Sequence, residues 1–122
     1  MKVLITGAAG FIGYHLSKKC IEKDYSVVGY DNLNDYYDLN LKKSRLKNLK
    51  ELAIKHNDNF SFIKGSLEDK DLLEKVFNEH EPICVVNLAA QAGVRYSILN
   101  PNAYIQSNLV GFGNIIELCR QK

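Results

Sequence analysis

Charge imbalance is nearly absent from this sequence. Its 122 residues carry 16 Lys and Arg against 14 Asp and Glu, a net charge of +2. That surplus creates no strong field toward nucleic acid or an anionic membrane, so neither partner is expected. Long hydrophobic runs are also missing: the longest apolar stretches are strand-sized, so no membrane span is expected. The chain does not open on a basic segment followed by a long apolar run, which excludes a secretion signal from the reading. Cysteine is scarce. Cys20, Cys84 and Cys119 are far apart and odd in number, fitting neither a disulfide framework nor a zinc site. Reduced thiols in a cytoplasmic protein are expected. His15, His56 and His80 show no ligand spacing, so no metal is expected. No repeat, low-complexity segment or linker breaks the chain, and its length allows one domain, residues 1–122.

What is present is an alternation of short apolar runs and amphipathic segments. Val3-Leu4-Ile5 reads as a strand ending at Thr6-Gly7. Phe11 to Lys23 reads as a helix with Ile12, Leu16 and Cys20 recurring on one side and Lys18, Lys19, Glu22 and Lys23 on the other. Tyr25 to Tyr30 is a second strand, followed by a polar, aromatic loop from Asp31 to Asp38. Leu39 to about His56 is helical, with Leu46, Leu49 and Ala53 on one face. Its Lys42, Lys43, Arg45, Lys47, Lys50 and Lys55 read as a solvated face rather than a nucleic-acid patch or, for Lys42, Lys43 and Arg45, a phosphate contact. Phe60 to Ile63 is a third strand. Asp69 to His80 is a helix with Leu72, Leu73, Val76 and Phe77 inward. Ile83 to Leu88 is a fourth strand, and Pro101 opens a helix running to the last residues. Near-continuous apolar strands alternating with helices predict an α/β fold, a parallel sheet buried on both faces.

The first strand runs into Gly7-Ala8-Ala9-Gly10-Phe11-Ile12-Gly13. Between a strand and a helix, this spacing has a mechanical reading. Gly7 takes a tight turn, Gly10 lets the backbone approach a pyrophosphate, and Gly13 lets the helix pack closely on the strand. The helix N-terminus then offers free N–H groups and the positive end of its dipole to the phosphates. Asp31, at the end of the second strand, stands where a carboxylate accepts hydrogen bonds from ribose hydroxyls and repels a 2′-phosphate, which favours NAD over NADP. The same aspartate also fits a turn begun with Asn32. The expected architecture is therefore a Rossmann-type, doubly wound parallel sheet of four strands in the order 3-2-1-4, with helices on both faces. The fourth strand would stand at an edge, and an apolar edge invites pairing with another chain, so a homo-oligomer is expected.

The Gly-x-x-Gly-x-x-Gly spacing resembles the extended short-chain dehydrogenase/reductase family, which includes nucleotide-sugar epimerases and dehydratases. Two stretches, Asp31 to Leu46 and Leu88 to Gly113, resemble UDP-glucuronate 4-epimerases within it. The resemblance implies NAD as cofactor and a UDP-sugar as partner. It assigns the backbone N–H groups of Phe11 and Ile12 to the pyrophosphate, and Asp31 and Asn32 to the ribose. Ser66 and Leu67 would meet the adenine edge, with Ser66 standing where the family has an aspartate. Leu88, Ala89 and Ala90 would line the nicotinamide side, with Ser107, beside Asn108, beneath it. Gln91, Val94 and Arg95 would face the sugar nucleotide, Arg95 as a phosphate or carboxylate contact. Asp69 either supports adenine binding or caps the next helix. Tyr36 and Tyr37 either cover the adenosine or anchor the loop.

The reaction implied is hydride transfer from C4 of the sugar to NAD, rotation of the 4-keto intermediate, and return of the hydride to the opposite face. The family performs it with a Ser or Thr and a Tyr-x-x-x-Lys pair on the fifth strand and following helix, which lie beyond residue 122. This sequence holds one such spacing, Tyr14 to Lys18, on the first helix at the phosphate end, where it is read as a coincidence. The 122 residues alone are therefore expected to be inactive. Two other readings stand beside the epimerase: a nucleotide-sugar 4,6-dehydratase or decarboxylase, and a non-catalytic NAD-binding fragment.

Overall fold

A computed structural model describes all residues, 1–122. Strands β1 (Lys2–Thr6), β2 (Ser26–Asp31), β3 (Phe60–Lys64) and β4 (Cys84–Asn87) form one parallel sheet in the order β3-β2-β1-β4. Helices α1 (Phe11–Glu22), α2 (Leu39–Ile54) and α3 (Lys70–His80) connect them. After β4 come α4 (Tyr96–Leu99), α5 (Pro101–Tyr104), a π-helical segment (Ile105–Val110) and α6 (Gly111–Gln121). None of the helices is long and apolar enough to cross a membrane.

Strand periodicity splits the apolar side chains between two cores. Val3 and Ile5 of β1 and Val27 of β2 point to one face, where they pack with Ile21, Leu46, Leu49 and Ala53 of α1 and α2. Leu4, Val28 and Tyr30 point to the other, against Leu73, Val76 and Phe77 of α3 and Ile115 and Leu118 of α6. The sheet is thus the middle of three layers, and β1, buried on both faces, is apolar at successive positions. Asp69 caps α3, accepting from Leu72 N–H at 3.1 Å. The β4 ladder extends one hydrogen bond past each end, through Ile83 N–H to Lys2 O and Leu88 N–H to Thr6 O.

Two sequence expectations are corrected. On α1 the buried residues are Gly13, Ser17 and Ile21, whereas Ile12 is 65% exposed. The helix lies too close to β1 for a large side chain at its start, so small residues face the sheet. The helix opened by Pro101 is not uniform either, because its middle is π-helical.

Ser17 carries a further consequence. Its Oγ is buried and has no hydrogen-bond partner. Burying a hydroxyl unpaired costs free energy, and alanine is the better helix former. Ser17→Ala is expected to raise the unfolding free energy by about 1 kcal/mol in urea titration. A loss of similar size would mean that the hydroxyl is bonded.

Candidate functional site

Strand register sets where the chain leaves the sheet. Thr6 pairs with Tyr30 on one side and Asn87 on the other, and Asp31 pairs with Lys64. The segments that follow each strand therefore emerge at nearly one level along the C-terminal edge. The chain passes from β1 to β2 on one side and places β4 on the other. Such a reversal opens a crevice in a doubly wound sheet. A cleft lies there. Gly7 and Gly10 line it from the β1 loop, Asp31 and Asn32 from the end of β2, and Ser66 and Leu67 from beyond β3. Leu88, Ala89, Ala90 and Gln91 line it from beyond β4, and Ser107 from the π-helical segment.

The glycine loop is shaped by close backbone approach. Gly7 has φ +70°, and a Cβ there would lie 2.8 Å from Ala89 N. A Cβ at Gly13 would lie 2.7 Å from the Gly7 carbonyl carbon and overlap its oxygen. Between them, Ala9 is held from two sides: its N–H donates to Asp31 Oδ2 at 3.0 Å, and its carbonyl accepts from Arg45 Nη1 at 3.0 Å. No hydrogen bond within the protein uses the N–H groups of Phe11, Ile12 or Gly13. α1 also has no side-chain cap and no acidic residue in its first turn. A helix N-terminus in that state is a seat for an anion. The side chains of Phe11 and Ile12 are exposed and stand outside the cleft lining, so only their backbone is available to it.

At the end of β2, Asp31 is buried, and its Oδ1 accepts from Leu33 N–H at 2.8 Å. Both carboxylate oxygens thus hold backbone while lone pairs remain for a ligand in the cleft. Two basic residues overturn their reading as solvated face. Lys42 is 8% exposed, lines the cleft, and donates to Asn34 O at 2.9 Å and Asn34 Oδ1 at 3.0 Å. Arg45 braces the glycine loop. Both side chains are long enough to reach back from α2 over the sheet edge, which helical spacing alone does not reveal. Tyr30 donates its hydroxyl to Ser66 O at 2.6 Å, and burial pushes its phenol up, so it remains a donor. Asn114 donates to Leu67 O at 2.8 Å. The turn after β3 is thus held from both sides.

Thr6 joins β1 to the segment after β4. Its Oγ1 donates to Asn87 Oδ1 and accepts from Leu88 N–H at 3.0 Å and Ala89 N–H at 3.1 Å. Thr6→Val keeps the shape and removes these bonds, leaving Ala89 N–H without an acceptor. It is expected to lower stability by about 2 kcal/mol in chemical denaturation, with Thr6→Ser recovering most of it. A valine variant as stable as the original protein would refute this role. Further along, Asn108 clamps Gln91 from the π-helical segment. Its Oδ1 accepts from Gln91 N–H at 2.9 Å, and its Nδ2 donates to Gln91 O at 3.1 Å. π-helical turns recur at functional sites, and here the turn carries Ser107 to the cleft and Asn108 to Gln91 at its rim.

Some sequence-assigned residues stand apart. Val94 is 85% exposed, Arg95 is exposed, and neither lines the cleft. Tyr14 and Lys18 share a shallow depression with Asn48, Leu52 and Lys55 between α1 and α2, away from the glycine loop's cleft. Thr6, Lys42, Arg45 and Asn108 were not singled out for these roles by sequence reasoning. Asn108 carried a signal in its place beside Ser107, and Lys42 and Arg45 only in their charge.

Comparison with known proteins places this geometry among relatives. The sequence profile of the family described as GDP-mannose 4,6 dehydratase matches residues 4–122. Protein CapI of Staphylococcus aureus is 56% identical over 120 residues, covering 98% of this chain and 34% of that protein. A probable UDP-glucuronate 4-epimerase of Rhizobium meliloti is 42% identical over 120 residues, covering 98% of this chain and 34% of its own length. The crystal structure of Thermus thermophilus UDP-glucose 4-epimerase in complex with NAD superposes with a TM-score of 0.77 at 34% identity, covering 99% of this chain and 34% of that one. The chain spans about a third of the length of the curated relatives it matches.

Proposed function

This chain belongs to the GDP-mannose 4,6-dehydratase family, and from that premise we propose that its cleft binds NAD as part of a nucleotide-sugar epimerase acting on UDP-glucuronate. The observation that carries the reading is the free N–H row at Phe11, Ile12 and Gly13, set on a glycine loop that Asp31 and Arg45 already hold in shape. A site organised before its ligand arrives loses less on binding.

The roles follow from position. Gly7 and Gly10 leave backbone-width room for a pyrophosphate, and the α1 N–H groups hold it. Asp31 and Asn32 take the ribose hydroxyls, and Ser66 and Leu67 meet the adenine. Leu88, Ala89, Ala90 and Ser107 orient the nicotinamide side, where bound NAD supplies a reversible hydride acceptor. Gln91, Val94 and Arg95 face the sugar nucleotide. The choice of UDP-glucuronate is supported by the Rhizobium relative and by the stretches Asp31 to Leu46 and Leu88 to Gly113.

The test has two steps. Calorimetric titration should show NAD binding more tightly than NADP. The whole protein, given NAD and UDP-glucuronate, should then yield the C4 epimer by carbon-13 NMR. No binding of NAD sinks the cofactor reading. The family's description favours one rival: a 4,6-dehydratase would instead release, from a 6-hydroxymethyl sugar nucleotide, a product lighter by one water.

A further inference from the structure

The loops that leave β2 and β4 meet. Those strands flank β1 on opposite sides, so a contact between their loops crosses the C-terminal end of β1, where Gly7 and Gly10 line the cleft. Tyr36, on the β2 side, makes that contact. A Cβ on Gly93, on the β4 side, would overlap the Tyr36 hydroxyl. Gly93 also has φ +94°, so both its backbone and its neighbour demand glycine.

The crossing is tied down at each end. The Tyr36 ring packs on Tyr96 with centroids 4.9 Å apart, and Tyr96 on Tyr104 at 6.3 Å. Aromatic pairs at such separations are attractive beyond simple burial. Tyr104 donates its hydroxyl to Ala92 O at 2.9 Å and also meets Gly93 O. The backbone of Ala92 and Gly93 is thus held between a tyrosine of the cofactor side and a tyrosine of the helix that follows. Both Tyr36 and Ala92 line the cleft, so whatever fills it touches both supports of the crossing. The amides of Ala92, Gly93 and Val94 donate no hydrogen bond within the protein, which leaves this stretch free to respond.

We propose that Tyr36 is a positioning residue: by packing over the cleft against Gly93, it couples NAD occupancy to the conformation of the Gln91 to Arg95 loop that receives the sugar nucleotide. The proposal rests on the cleft being the NAD site. It gives Tyr36 a role different from either covering the adenosine or anchoring its own loop. It also accounts for a buried lysine, Lys42, that holds the Asn34 end of the same loop through two hydrogen bonds.

Amide hydrogen exchange with and without saturating NAD tests it. In the unaltered protein, NAD should slow exchange at Ala92 to Val94 about tenfold, a common size for coupling between sites. Tyr36→Phe keeps the ring on Tyr96 but loses the hydroxyl that meets Gly93, and should reduce this response part-way. Tyr36→Ala and Tyr104→Phe, each measured at NAD concentrations that saturate that variant, should reduce it to less than about twofold. Exchange in β1 and α3 serves as the internal check that each variant is folded. If Tyr36→Ala does not fold, Tyr104→Phe, which loses only a hydroxyl, decides. Full protection retained in Tyr36→Ala, or in Tyr104→Phe where that variant decides, would mean direct shielding by NAD and overturn the coupling. So would NAD binding that leaves these amides unchanged in the unaltered protein. Failure of NAD to bind at all, read by calorimetry, overturns the cofactor assignment itself and the coupling with it.

Discussion

Gly13→Ala is expected to lower the stability of the protein by about 3 kcal/mol and to abolish NAD binding. The added Cβ would lie 2.7 Å from the Gly7 carbonyl carbon and 3.1 Å from Ala8 Cα. These atoms are backbone, so no side-chain rotation relieves the overlap. α1 must move away from β1, and the N–H groups of Phe11 and Ile12 move with it. Gly113 supplies the control. A Cβ there meets nothing within 4 Å, and the residue lies inside α6. Gly113→Ala should therefore raise stability by about 0.5–1 kcal/mol, the usual advantage of alanine over glycine in a helix. Denaturant titration of both variants, with calorimetry for NAD, separates position from composition. A Gly13→Ala protein as stable as the original would show that α1 tolerates displacement.

Asp31→Ala is expected to weaken NAD about 100-fold, the scale of losing charge-assisted hydrogen bonds to ribose hydroxyls. The preference for NAD over NADP should shrink as well. Two causes act together and can be separated. The carboxylate is the proposed ribose acceptor, and it also holds Ala9 N–H and Leu33 N–H. Asp31→Asn retains one neutral acceptor and should recover part of the loop while leaving the repulsion of a 2′-phosphate removed. Lys42 remains in the cleft in both variants and would then favour the phosphate. Titration with NAD and NADP reads both effects. An unchanged preference in Asp31→Ala would mean that another residue sets the cofactor choice.

The strand order and the two cores were legible because β1 and β2 are apolar at successive positions and the helices keep one apolar face, as at Leu46, Leu49 and Ala53. The glycine loop was legible because backbone geometry leaves little choice of residue at Gly7 and Gly13. Periodicity misled on α1, where apolar recurrence pointed to Ile12 while steric closeness selected Gly13 and Ser17. The supports of the cleft were hidden for another reason. Thr6, Arg45 and Asn108 act through hydrogen bonds to backbone atoms far along the chain: 82 and 83 residues away for Thr6, 36 for Arg45 and 17 for Asn108. Composition and spacing record residues that repeat along one element. They carry no record of one side chain reaching across to another.

The π-helical segment sets a limit on how this region can vary in length. Its hydrogen bonds span five residues, as in Gly111 N–H to Gln106 O, so it holds one residue more than an α-helical turn would need. A further residue inserted between Ile105 and Val110 would exceed what this turn already absorbs and would rotate everything after it by about 100°. Ile115 and Leu118 would then leave the core they share with α3, or Asn108 would leave Gln91. Related chains should therefore tolerate substitutions in this stretch far more readily than insertions.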